Sequence, residues 1–296
     1  RDRVAAHVLT SGSTGDPLPH AKPWGLLAAS ARSEAARLAE TSGRASLEGV
    51  TLVATVPPQH MYGFESSVLI ALHGGAAFDA GRPFYPADVV ATLGATPAPR
   101  ALVTTPFHLK ALLESGLAMP EVAFVVCATA PLSPQLAARS EAAFAAPLVE
   151  LYGCTEAGQV ATRRTTAGAE WQTFAGLTLA GDGDQVMVSG GHVPEPTPLA
   201  DVLEVLSPDR FRLLGRSNDL VNIAGKRSSL GHLNFHLNAI EGVVDGAFWC
   251  PPDADAAGVT RLVAFVAAPT LDRSQILAAL RSRVDAAFLP RRIVAV

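Results

Sequence analysis

Cysteine is scarce. The three present, Cys127, Cys154 and Cys250, are too few and too dispersed for a disulfide framework or a zinc cluster. The expectation is reduced, partly buried thiols in a cytoplasmic protein. No uninterrupted apolar run reaches the roughly 18 residues that a membrane-spanning helix needs, and no stretch reads as a signal peptide. An excess of positive charge is missing too. The 23 basic residues stand against 27 acidic ones, a net charge of −4, and the bases are scattered apart from pairs such as Arg163-Arg164 and Arg291-Arg292. That balance argues against a nucleic-acid partner. Nor does a Gly-Lys-Ser/Thr ending follow the small-residue loop near the start, which disfavours a Walker-type ATPase or kinase.

What is present is globular material: 296 residues, 49% hydrophobic and 17% charged, enough for one large and one small domain. Helix patterns over 26–38, 64–72, 86–93, 106–113 and 135–144 alternate with apolar runs over 50–56, 76–78, 101–104, 122–127 and 148–151. Such alternation predicts an α/β sheet protein. Ser133-Pro134 is placed as N-cap and first helical residue. After Gly158 the texture changes to short strands over 186–189, 202–206 and 211–214, separated by Gly, Pro and Asp, which predicts an antiparallel, β-rich subdomain. From Leu220 onward the order becomes strand, helix (230–240), strands (246–250, 262–267) and an amphipathic helix (272–288), a compact α+β unit. The expected architecture is therefore a large α/β domain with a short β-rich subdomain over 1–216, then a small α+β domain over 217–296.

Three elements carry chemistry. The first is Thr10-Ser11-Gly12-Ser13-Thr14-Gly15, small or hydroxyl-bearing residues whose backbone N–H groups and hydroxyls converge readily on an anion. The second is Tyr152-Gly153-Cys154-Thr155-Glu156 at the end of a predicted strand, where open α/β sheets bind ligands. There a ring can stack on a base, a threonine can donate to a phosphate, and a glutamate can hold Mg²⁺. The third is Gly215-Arg216-Ser217-Asn218-Asp219 at the domain junction, followed by a second glycine at Gly225. Each alone has a plainer reading: a solvated turn, a half-buried core ring with a surface acid, and a turn with a surface arginine.

Together, in this order, the three resemble the adenylate-forming superfamily: acyl- and aryl-CoA synthetases, adenylation domains of peptide synthetases, and luciferases. Ala130-Pro131-Leu132-Ser133 resembles that family's adenine-side loop, and Asp201 stands about where its members hold the ribose. Pro58-Gln59-His60-Met61-Tyr62-Gly63 looks like its acyl-pocket motif, with His60 either gating the pocket or simply capping a loop. The dialect of the first loop and the pocket motif resembles synthetases of bacterial aryl-polyene pigment clusters, which hints at a hydroxybenzoate-type acid loaded onto an acyl carrier protein. The chain also departs from the pattern. The lysine usually found just after the loop's Pro17 is replaced by Leu18, leaving Lys22 either as its displaced equivalent or as a surface lysine. Asn218 stands where an aspartate usually begins the hinge. A catalytic lysine of the family, on a loop close to the C-terminus, has no counterpart before Val296, so the chain is expected to be trimmed at both ends.

The resemblance implies an ATP-dependent carboxylic acid ligase: carboxylate attack on the α-phosphorus of ATP, then thioester formation with CoA or an acyl carrier protein. It assigns the β- and γ-phosphates to the 10–15 loop, the α-phosphate to Thr155 and Mg²⁺ to Glu156. Tyr152 falls beside adenine, Ala130 and Pro131 around it, and Asp201 and Arg216 on the ribose. His60, Tyr62 and Gly63 go to the acid pocket, Lys22 to catalysis and Asn218 to the hinge of a mobile C-terminal domain. A non-catalytic nucleotide-binding or interaction module is the alternative.

Overall fold

The computed structural model describes residues 2–9, 19–216, 219–251 and 261–296, with only the backbone of Arg216. A hairpin opens the chain, β1 (Val4–Leu9) antiparallel to β2 (Pro19–Pro23), in a register that pairs Leu9 with Pro19. It runs into α1 (Trp24–Thr41), whose alanine-rich inner face buries Leu27, Ala31, Ala35 and Leu38 at helical spacing. Then follow β3 (Thr51–Ala54), α2 (Met61–Gly63), a π-helical turn (Phe64–Leu69), α3 (Ile70–Gly74), β4 (Ala77–Phe78) and α4 (Pro86–Ala95). Next come β5 (Arg100–Thr104), α5 (Pro106–Glu114), β6 (Val125–Cys127), α6 (Pro134–Phe144) and β7 (Leu148–Cys154). The Ser133 hydroxyl accepts from the Leu136 N–H at 3.2 Å with Pro134 in the first turn, the cap expected from those two residues.

Strands β4, β3, β5, β6 and β7 are parallel neighbours in that order. Adjacent residues on each strand point to opposite faces. Leu52, Val103, Val126 and Val149 pack toward α1, and Val53, Leu102, Val125 and Leu148 toward α4–α6. Both faces being covered, the strands read as continuous apolar runs.

The β-rich stretch divides in two. After β7, the antiparallel strands β8 (Gly158–Arg163) and β9 (Glu170–Thr173) extend the main sheet. Strands β10 (Leu177–Ala180), β11 (Met187–Gly190) and β12 (Val193–Pro198) form a small sheet of their own. Strands β13 (Asp201–Ser207) and β14 (Arg210–Arg216) then return to the main sheet beside β9, giving it nine strands. Only β10–β12 pair as a separate sheet, and Leu177, Leu179, Val188 and Val193 from them share one core with β7 and with Trp171 and Phe211, which are buried and stacked on one another.

The last segment has its own core of Val221, Ile223, Leu233, Leu237, Phe248, Leu262, Ile276 and Phe288. It contains the hairpin β15 (Leu220–Ile223)/β16 (Lys226–Ser229), α7 (Leu230–Asn238), β17 (Asp245–Trp249), β18 (Val263–Ala267), α8 (Arg273–Arg281), a 3₁₀ turn (Ala286–Phe288) and β19 (Arg292–Ala295). The helix expected over 272–288 stops at Arg281 because Asp285 caps the separate 3₁₀ turn. Where this unit meets the main sheet, the Arg163 guanidinium lies between two rings, 4.5 Å from Trp171 and 5.5 Å from Phe235 of α7. Lys110 pairs with Asp245 at 3.4 Å across the same seam.

Candidate active site

The loops that leave the carboxyl ends of β3, β5, β6 and β7 share one edge of the sheet. In open α/β sheets this edge is where ligands bind. Five of the sequence-derived residues fall there: His60 beyond β3, Ala130 and Pro131 beyond β6, and Thr155 and Glu156 beyond β7.

The β7–β8 turn is the tightest part. A Cβ on Gly153 would stand 3.0 Å from the Cα of Gln159 and closer still to the Gly158 carbonyl, so only glycine lets the two strands close. Closure presents Thr155 half-exposed and Glu156 exposed. The main-chain carbonyl of Glu156 accepts a hydrogen bond from Lys22 Nζ at 2.9 Å, while its carboxylate lies 3.9 Å from His20 Nε2. Lys22 is only 9% exposed, so it is not a surface lysine. Burial pulls its pKa down, opposed by the charges of Glu65, Cys154 and Glu156. Lys22, Glu65, Glu156 and His192 line a common cavity of about 260 Å³.

Tyr152 and Asp201 also meet. The phenol donates to the Asp201 carboxylate at 2.8 Å, and Asp201 pairs directly with Arg216 across β13 and β14. The Tyr152 ring is 8% exposed and packs against Trp171 and Phe211, which leaves little of it to stack on a base. The geometry links Tyr152 to the site through its hydroxyl. Tyr62 is engaged through its hydroxyl in a similar way. It is buried, its hydroxyl donating to the carbonyls of Thr104 (2.9 Å) and Val126 (3.0 Å), so it ties β5 to β6 instead of facing an open acid pocket. Gly63 is required by contact: a Cβ there would sit 2.9 Å from the Pro57 carbonyl carbon. His60 is exposed at the start of α2.

Ala130 and Pro131 are exposed, and just before them Thr129 has φ +83°. A β-branched residue is strained there, and such strain concentrates at functional loops. Nothing in the sequence signals it. Releasing a strain of roughly 1–3 kcal/mol at the cost of glycine's extra chain entropy, Thr129→Gly is expected to stabilise the protein by about 1 kcal/mol. Urea denaturation midpoints of the two proteins measure this.

Sequence reasoning also missed a buried polar cluster beneath the Glu156 turn. Gln159 donates to Glu34 at 2.6 Å and to the Ser66 hydroxyl at 3.1 Å, and the Gln159 carbonyl lies 2.6 Å from His192 Nε2. Glu34, Glu65 and Ser66 are all within 3% of full burial. An acid inside an alanine-rich helix face, as Glu34 is, was the available signal. Burial pushes Glu34 up to about 7 and Glu65, also facing Glu34, up to about 8. The folded state therefore keeps protons that the unfolded chain releases above pH about 4.5. This contribution to stability is complete below that pH and declines as pH rises toward about 8. Glu34→Gln removes one of the two groups. Between pH 5 and 8 wild type is expected to lose stability relative to the variant, as read from their melting temperatures.

Thr10, Ser11, Gly12, Ser13, Thr14, Gly15 and Asn218 lie outside the described residues, as does the Arg216 side chain. Among the described residues no group of three or more His, Cys, Asp or Glu is arranged to hold a metal, and no helix is long and apolar enough to cross a membrane.

Residues 1–196 match the model of the AMP-binding enzyme family. Over 277 residues the chain is 32% identical to a 4-coumarate–CoA ligase of Rhodobacter capsulatus, covering 94% of this chain and 67% of that protein. A second 4-coumarate–CoA ligase, from Halorhodospira halophila, is 30% identical over 79% of this chain and 56% of its own length. Among solved structures, ATP-bound MatB from Rhodopseudomonas palustris superimposes with a TM-score of 0.78 at 19% identity, over the whole of this chain and 64% of that one. The anthranilate–CoA ligase AuaEII in complex with anthranoyl-AMP gives 0.76 at 17% identity over 100% of this chain and 64% of its own. The chain thus spans between 56% and 67% of the length of these proteins.

Proposed function

Because the chain belongs to the AMP-binding enzyme family, we propose that it is the greater part of an ATP-dependent acid–thiol ligase, forming an acyl- or aryl-adenylate and then a thioester. The observation that carries this reading is the hydrogen bond from Lys22 to the Glu156 carbonyl. Lys22 belongs to the strand that begins at Pro19, a few residues after the proposed phosphate-binding residues 10–15, so the bond joins that arm to the turn bearing Thr155 and Glu156.

In the first half-reaction a substrate carboxylate oxygen attacks the α-phosphorus of ATP and pyrophosphate leaves. There is little covalent work for the protein in such a transfer; it fixes the reactants and stabilises charge on the phosphate oxygens. Thr155 donates its hydroxyl to the α-phosphate. The buried, desolvated Lys22 holds the turn in place and adds positive charge beside it. Asp201, oriented by the Tyr152 phenol, accepts from the ribose hydroxyls with Arg216 opposite it in register. The loop over 10–15 holds the β- and γ-phosphates, and Asn218 serves as the pivot between units 1–216 and 217–296.

Mg²⁺ fits the site. Glu156 has an exposed carboxylate whose ion-pair distance to the His20 ring is 3.9 Å, and Mg²⁺ usually takes one or two carboxylates plus phosphate oxygens and water. Bound there, the ion supplies charge neutralisation for the phosphates. In the second half-reaction a thiol attacks the adenylate carbonyl and AMP leaves. The names of the two ligases at 30% identity or more favour CoA as the thiol; the sequence dialect favours an acyl carrier protein. Pyrophosphate exchange into ATP, dependent on an added acid, tests the first half. Thioester formation with CoA against a phosphopantetheinylated carrier protein tests the second. The absence of exchange across hydroxybenzoic, hydroxycinnamic and aliphatic acids, with folded protein, would refute the proposal.

A further inference from the structure

One buried cation at the seam has no part in the chemistry proposed above. Arg163 of β8 is paired with Glu150 of β7 at 2.7 Å, and both side chains are less than a tenth exposed. The same carboxylate oxygen accepts the Thr165 hydroxyl at 2.7 Å, and the Trp171 ring of β9 lies 4.5 Å from the guanidinium. A buried ion pair needs such support, and Arg163 finds all of it within the large unit. Phe235 of α7 comes from the other unit, 5.5 Å from the same guanidinium. Its ring is half-buried yet takes no part in the core of its own unit. Two further pairs cross between the units, Lys110 with Asp245 at 3.4 Å and Arg227 with Asp184 at 3.2 Å. Both are well exposed to solvent and of the kind that contributes little. A guanidinium withdrawn from water beside an aromatic ring counts for more.

Helix α7 has a second hold on the large unit. Its N-cap, Ser229, donates to the Leu214 carbonyl, and a Cβ on Gly215 would overlap the Ser229 side chain. Leu214 and Gly215 stand just before the proposed pivot at Asn218, so this hold lies near the axis of any rotation. Phe235 is roughly 9 Å further along the helix, at 1.5 Å per residue, where the same rotation displaces it more. When Phe235 leaves, Glu150, Thr165 and Trp171 keep their partner, so the contact can break and re-form without disturbing the main sheet.

We propose that Arg163 is a positioning residue for the small unit. With Phe235 it forms a releasable post that holds units 1–216 and 217–296 in the pose seen here, and its release sets how the two half-reactions share the site. The catalytic part rests on the ligase reading; the post itself does not. Phe235→Ala removes the ring and leaves the Arg163–Glu150 pair in place. Tryptic cleavage after Arg216, at the junction, is expected to run about 5-fold faster in the variant, since cleavage follows the population of the opened form. Cleavage after Arg281, in α8 of the same unit, should stay at the wild-type rate because the unit remains folded. The ratio of acid-dependent pyrophosphate exchange to thioester formation, with CoA or a phosphopantetheinylated carrier protein, is expected to change by about 5-fold or more, because a pose that serves one half-reaction is not the pose of the other.

Unchanged junction cleavage in Phe235→Ala overturns the post whatever the enzyme does. An equal fall in both half-reactions overturns the positioning role, since a merely structural loss acts on both alike. If cleavage after Arg281 also rises, Arg163→Lys decides: lysine keeps the charge beside Glu150 but not the planar guanidinium. Wild-type cleavage after Arg216 in that variant overturns the proposal. A wild-type protein inactive in both half-reactions, with junction cleavage quickened by Phe235→Ala, strikes only the ligase reading.

Discussion

Glu156→Gln is expected to lower ATP–pyrophosphate exchange by about 100-fold or more, the usual size of losing one fixed group that stabilises developing phosphate charge. Glutamine keeps the size and hydrogen-bonding capacity of the side chain but removes the charge that would hold Mg²⁺. Stability should hardly change. The carboxylate is 43% exposed and its pairing with His20, at 3.9 Å, is of the exposed kind that contributes little. The bond to Lys22 uses the main-chain carbonyl, which the substitution leaves in place. A melting temperature within about 1 °C of wild type, alongside the loss of exchange, separates chemistry from folding. Full exchange activity in the variant would remove Glu156 from the metal assignment.

Gly153→Ala acts in the opposite manner, on structure first. The added methyl meets the Gly158 carbonyl and the Gln159 Cα, backbone atoms of the facing strand that have no rotamer to change. A clash that moves main chain in a packed region typically costs about 1–3 kcal/mol, occasionally more. The upper end is expected here, because Tyr152, the next residue, is anchored in the Trp171 and Phe211 core and prevents the strand from shifting. A lowered denaturation midpoint together with loss of exchange is the expected result. An alanine variant as stable as wild type would show that the turn opens without penalty.

The parallel half of the sheet was legible because its strands are apolar on both sides and its helices carry Pro and Ser/Thr at their starts; Ser133-Pro134 is one such case. The β-rich part was harder. Short strands with turns between them look alike whether they join an existing sheet or form a new one, and the decision lies in Trp171 and Phe211 meeting Tyr152 from distant positions in the sequence. Strand β16, Lys-Arg-Ser-Ser, has no apolar residue to announce it. At the site, the motif residues were legible through local spacing, whereas Lys22 depended on a contact 134 residues away. For Tyr62 and Tyr152 the sequence shows a ring in a motif, but not that the hydroxyl donates to β-strand carbonyls or to Asp201.

The arginine between two rings at the seam also gives the molecule an optical gauge. Trp171 is 2% exposed, whereas Trp24 and Trp249 are 42% and 48% exposed, so the blue-shifted part of the fluorescence comes from one indole. That indole lies 4.5 Å from the Arg163 guanidinium, which is ion-paired with Glu150 at 2.7 Å, and Phe235 of α7 lies 5.5 Å from the same guanidinium. Were the proposed pivot to carry α7 away, water would reach the Arg163 guanidinium and the surroundings of the indole would change. The proposed passage from adenylation to thioester formation would then be visible as a change in emission, with no label attached.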